Sequence, residues 1–152
     1  MAHADPHSFL EHDSRLAAYG VVADTEGRVL LALGNDPPEP RWALPGGGVE
    51  LHESLTDGLV RELEEETGYA VRPVRLLGVA THETPPERRL SDTTRWLRSV
   101  RVFYEVEIVG GELRDEVDGS TDEARWIPLA EVAGLTRVSM VDDGLALLAQ
   151  LT

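Results

Sequence analysis

The chain has 152 residues, the length of a single domain with a proper core, and its 41% hydrophobic content is ordinary for a globular protein. It contains no cysteine, which removes disulfides, thiolate zinc sites and thiol nucleophiles together and fits a reducing cytoplasm. With 28 acidic residues against 14 basic ones the net charge is −14, a field that repels nucleic acid polymers, and every basic residue is arginine, so lysine Schiff-base chemistry and a phosphate-loop lysine are excluded.

No apolar run reaches the about 18 residues of a membrane span, and no basic segment leads into an apolar stretch at the N-terminus, so neither a membrane partner nor a secretory signal is expected. Residues 1–13 carry three of the five histidines and read as a loose polar tail; residues 14–152 read as one domain. "RLAAYGVVAD" and "RVLLALG" flank "TEG" and predict two strands joined by a hairpin. "NDPPEPR" is a proline-broken loop, and "WALPGGGVELHE" gives a short extended piece and a glycine-rich turn. Ser54 caps a helix with an acid three residues on at Asp57; Leu55, Leu59 and Leu63 form its buried stripe, and Gly68 suits the left-handed residue that ends it.

"VRPVRLLGVATHE" reads as the next strand and "TPPERRLSDTT" as a loop. Then Val100, Val102, Tyr104, Val106 and Ile108 alternate with Arg101, Phe103, Glu105 and Glu107, which predicts a strand with Phe103 on its polar face. "EARWIPL" is one more strand, and "SMVDDGLALLAQL" closes the chain as an amphipathic helix. Strands before, between and after two helices give an α/β or α+β class with a mixed sheet.

The helix from Ser54 ends in four glutamates within five positions: Glu62, Glu64, Glu65 and Glu66. A helix C-terminus disfavours anions, and Glu62, Glu65 and Glu66 share one face at i, i+3 and i+4. Their mutual repulsion would protonate one or more, unless hard divalent cations such as Mg2+ sit among them. The competing reading is a solvated acidic face.

The residues upstream decide between the two. From Gly47 the order is five residues, Glu53, seven residues, then Arg61-Glu62-Leu63-Glu64-Glu65-Glu66-Thr67-Gly68-Tyr69. This resembles the Nudix hydrolase signature, GX5EX7REUXEEXGU, at every fixed position, and the likeness extends from Arg15 to about Leu135. Two positions depart from the usual pattern: Tyr69 stands for an aliphatic residue, and Gly58 for a frequent alanine, which by propensity loosens the helix by up to about 1 kcal/mol. The resemblance implies an α/β/α sandwich and cleavage of a diphosphate linkage in a nucleotide-type substrate, using Mg2+ or Mn2+. Glu62, Glu65 and Glu66 would be metal ligands, with the carbonyl of Gly47 adding another oxygen. Glu53 would support a water on the metal, Arg61 would hold a glutamate in place, and Glu65 or Glu66 would be the base. Many relatives add a glutamate from the loop before the last strand; Glu116 is the choice here, ahead of Asp118, Asp122 and Glu123. A homodimer is common among relatives.

On the substrate side, Arg88, Arg89, Arg95, Arg98 and Arg101 form the basic stretch of an acidic chain and are candidates to clamp phosphates or a ribose, against a reading as solvated arginines. Phe103 and Trp42 are candidates to stack on a base. Pro85 falls sixteen residues after the signature and resembles a feature of the branch that cleaves ADP-ribose, while a nucleoside triphosphate and a nucleotide sugar stay open. Two alternatives come from other classes. A Nudix-fold isomerase usually needs the cysteine this chain lacks, and a nucleotide-binding sensor usually loses signature glutamates that this chain keeps.

Overall fold

The computed structural model describes residues 8–36 and 38–151. Seven strands and two helices follow in the order β1 (Asp13–Val21), β2 (Arg28–Gly34), β3 (Arg41–Ala43), β4 (Gly46–Gly48), α1 (Leu55–Thr67), β5 (Tyr69–Thr84), β6 (Leu97–Gly111), β7 (Thr121–Pro128) and α2 (Met140–Ala149). They build a mixed four-stranded sheet in the order β4-β1-β6-β5, whose β1–β6 pair is parallel, and an antiparallel three-stranded sheet in the order β3-β2-β7. With α1 and α2 on opposite sides, the architecture is the α/β/α sandwich.

Burial along β1 shows how the layers form. Ala17, Tyr19 and Val21 enter one apolar cluster with Leu44, Phe103, Met140 and Val141, on the side of α2. Ala18 enters a second cluster with Leu59, Leu63, Val71 and Val106, on the side of α1. Both faces of the central strands are therefore covered. The expected hairpin closes locally, with the Asp24 N–H donating to the Arg28 carbonyl, but β1 and β2 then diverge into different sheets. Phe103 is fully buried in the α2-side cluster, not displayed on a polar face. The alternation in the sequence is real; its second face is covered by α2, which periodicity of one strand does not reveal.

The helix of the signature forms where local rules place it. Ser54 Oγ accepts from the Asp57 N–H at 3.1 Å, and Leu59 and Leu63 are buried. Gly68 takes φ 81° and returns its N–H to Glu64. Tyr69 packs as expected for its position: its ring meets Trp126 edge-on, and its hydroxyl accepts the indole N–H at 3.1 Å. Residues 1–7 of the expected tail lie outside the described residues. The rest of it is engaged, with His12 buried and Asp13 accepting from Arg89 and Arg95 at 2.8 Å each. Those two bonds hold Asp13 below the usual carboxylate range and tie the arginine-rich loop to the start of β1.

Candidate active site

The glycine strand β4 lies between α1 and β1 and brings backbone into contact with the glutamates. Gly46 adopts φ 144°, a conformation side chains avoid, and a methyl there would strike the Ala18 carbonyl. Its N–H donates to Glu66 Oε2 at 3.1 Å. Gly47 faces Glu62 so closely that a methyl on it would sit 2.8 Å from that carboxyl carbon. Arg61 is the hub of the cluster. It grips Glu53 with two bonds of 2.7 and 2.8 Å, donates to the Gly48 carbonyl at 3.1 Å, and reaches Glu62 at 3.2 Å and Glu65 at 3.3 Å. The glutamate it holds most firmly is thus Glu53.

Glu53 reaches Arg61 from a turn in which His52 takes φ 131°, a strained conformation for a residue with a side chain. Gly58 has its reason here: an alanine methyl would press to 2.9 Å from Glu53 Oε1, so the glycine that weakens the helix makes room for that carboxylate.

Electrostatics divide the carboxylates into two kinds. The Arg61 guanidinium and the Glu50 N–H hold Glu53 down to about 2. Burial pushes Glu66 up to about 9, the Gly46 N–H opposing and the charges of Glu62, Glu116 and Glu65 reinforcing the rise; only 3% of the residue is exposed. Burial likewise raises Glu62 against the pull of Arg61. The charge of Glu116, in the loop before β7, is felt at both Glu62 and Glu66. Its carboxylate is half-buried and accepts from Thr121 Oγ1 at 2.7 Å. The other acids of that loop are otherwise engaged or exposed: Asp122 accepts from Asn35, Glu123 pairs with Arg125, and Asp118 is exposed with φ 55°.

Glu62 and Glu66 open onto a cleft of about 920 Å3 between the glycine strand, the start of β6 and the loop from Thr84 to Ser91. Among the described residues no group of three or more carboxylate or histidine side chains is arranged to hold a metal ion. The donor set nonetheless fits a hard divalent cation: all oxygen, mutually repelling, and including a buried carboxylate whose one hydrogen-bond donor is a backbone N–H.

Strand parity sorts the predicted substrate residues. Arg88, Arg89 and Arg101 line the cleft, while Arg98 alternates to the opposite face of β6. Arg89 is committed to Asp13 and the Arg95 carbonyl. Phe103, fully buried, has no surface to offer a base. Trp42 packs against the core beneath the Arg125 guanidinium, 5.6 Å from the ring centre, and its neighbours Arg41 and Ala43 face the cleft instead. Reading the sequence missed Gly46, Arg15, Arg41 and His82. The "GGG" run was a signal for the first; the others follow only from strand register.

The NUDIX domain model matches residues 13–146. The chain is 28% identical to the ADP-ribose pyrophosphatase of Methanocaldococcus jannaschii over 71% of its own length, and spans 59% of that relative. It is 34% identical to the RNA pyrophosphohydrolase of Cereibacter sphaeroides, with 74% of each chain covered. The structure resembles the NUDIX domain of Shewanella oneidensis NrtR complexed with ADP ribose, with a TM-score of 0.65 and 25% identity over 97% of this chain and 91% of that one.

Proposed function

This chain belongs to the Nudix family, and we propose that it is a pyrophosphohydrolase that cleaves a diphosphate linkage in a small nucleotide-type substrate, in the cytoplasm. The observation that carries the reading is the approach of Glu62 and Glu66 to the β4 backbone at the edge of an arginine-lined cleft. Glu62, Glu65, Glu66 and the Gly47 carbonyl are the groups that would hold Mg2+ or Mn2+. Such an ion would neutralise phosphate charge and make water a better nucleophile.

The chain's own residues do the rest. Arg61 keeps Glu53 ionised far below neutral pH, so Glu53 stays an acceptor able to orient a water. Arg61 also braces Glu62, Glu65 and the Gly48 carbonyl, so one guanidinium fixes both ends of the signature loop. Water oxygen adds to phosphorus, the bridging P–O bond breaks, and the proton released passes to a nearby carboxylate. Glu66, Glu65 and Glu116 are the candidates for that acceptor. Glu66 is in contact with the glycine strand, and the charge of Glu116, in the loop before β7, raises the proton affinity of Glu66.

A phosphate-release screen with Mg2+ tests this over nucleoside triphosphates, ADP-ribose, diadenosine polyphosphates and nucleotide sugars. Turnover is expected on at least one class and should nearly vanish in Glu65→Gln and Glu66→Gln. Near wild-type rates in both variants would refute the catalytic reading. Binding without turnover would favour a nucleotide-binding sensor.

A further inference from the structure

Strand register across the cleft floor places Gly48, Ala17, Arg101 and Ala80 side by side on β4, β1, β6 and β5. Arg15, Ser99 and His82 occupy the adjacent row. Arg101 is thus flanked by two methyl groups, and among the described residues no carboxylate pairs with it. Its Nε is buried with no hydrogen-bond partner. Arg15 meets only the Tyr19 hydroxyl, at 3.4 Å, and among the described residues Arg15, Arg41, Arg88 and Arg101 form no ion pair. The chain has twice as many acidic residues as arginines, so carboxylates to neutralise these four are plentiful elsewhere. A half-buried guanidinium without a partner is costly, and an incoming anion removes the cost. The cleft also lacks a stacking platform. Among the described residues no Phe or Trp lines it; Tyr19 is 6% exposed and packed on Phe103, which leaves the small imidazole of His82 as the other ring.

Resting on the hydrolase reading, we infer that the cleft selects a diphosphate whose far side carries a further phosphorylated arm, with Arg101 and Arg15 receiving that arm's oxyanions. Two strand spacings, about 10 Å, separate the Arg101 backbone from the glycine strand. That distance lets one end of an extended oligophosphate or sugar phosphate lie at the glutamates while the other reaches the arginines. The base, if the substrate has one, is held weakly for want of a large ring to stack on.

Calorimetric titration in EDTA tests the subsite without any hydrolysis. The probes are tripolyphosphate, which mimics a phosphate chain, fructose 1,6-bisphosphate, which mimics a phosphorylated sugar, and adenosine, which carries a base and no charge. Wild type is expected to bind one or both phosphate probes and to bind adenosine more weakly; whichever phosphate probe is tighter identifies the kind of arm. Arg101→Gln should weaken phosphate binding ten-fold or more, and Arg15→Gln, at an exposed position that cannot unfold the sheet, several-fold. Arg72→Gln, on the outer face of β5, serves as the charge-matched control and should leave it unchanged. Absent phosphate binding in the wild type, equal binding in the Arg101 and Arg15 variants, or tighter binding of adenosine would each overturn the inference. A protein that hydrolyses diphosphates but binds these probes independently of Arg101 refutes only the subsite. One that binds them through Arg101 but hydrolyses nothing refutes only the hydrolase reading.

Discussion

Replacing Glu66 by glutamine is expected to stabilise the metal-free protein at neutral to alkaline pH. The carboxyl is buried beside Glu62, with a single backbone donor, and its pKa is pushed up to about 9 from an ordinary value of 4.5. A folded-state pKa above the unfolded one means that the folded chain holds its proton more tightly. The stability linked to that proton is complete below pH 4.5 and is lost as pH rises toward 9. The gap sets a ceiling on the order of 6 kcal/mol, and relaxation of the site with entry of water leaves about 2–4 kcal/mol at pH 8. Glutamine mimics the neutral acid and still accepts the Gly46 N–H, so it avoids this cost. For a chain of this size 1 kcal/mol moves the midpoint by about 2–4 °C, which makes the expected gain roughly 5–15 °C at pH 8 in EDTA and near zero at pH 4.5. Thermal unfolding of both proteins across that range measures it. Adding Mg2+ should narrow or reverse the difference, because an ion at 100 times its Kd stabilises the wild type by about 2.7 kcal/mol. A glutamine variant whose pH profile in EDTA runs parallel to wild type would refute the reasoning.

Three further outcomes follow from the geometry. Gly47→Ala puts a methyl 2.8 Å from the Glu62 carboxyl carbon, so it should leave the fold intact but shift the Mg2+ dependence of turnover upward by about ten-fold or more, read by a metal titration. Glu116→Gln should lower turnover or shift the same titration, whereas Asp118→Asn should not; the reverse result would place the loop's contribution on Asp118. Phe103→Ala should cost about 3–5 kcal/mol in chemical denaturation because the ring is fully buried, with KM essentially unchanged in protein that remains folded. A raised KM at unchanged stability would restore its role as a base-stacking residue.

Much of the signature helix was legible in the sequence because its determinants are local. The Ser54 hydroxyl, the Leu59–Leu63 stripe, the left-handed Gly68 and the spacing of Glu62, Glu65 and Glu66 act within a few turns of one another, where 3.6 residues per turn fixes who shares a face. The spacing from Gly47 through Glu53 to Arg61 likewise identified the family without coordinates. What one strand's pattern leaves open is which surfaces cover it. Phe103 reads as polar-face from alternation and is core because α2 closes over that side of β6. Arg98 and Arg101 look equivalent in a basic run, yet a three-residue offset sends them to opposite faces, and only pairing with β1 and β5 shows which face is the cleft. The role of Gly58 and the contact of Gly46 with Glu66 depend on atoms that meet across loops and layers, with Gly46 and Glu66 twenty residues apart. Local geometry is written in neighbouring residues. Register, layer and close approach arise from the whole chain packing at once, and tertiary structure alone decided them.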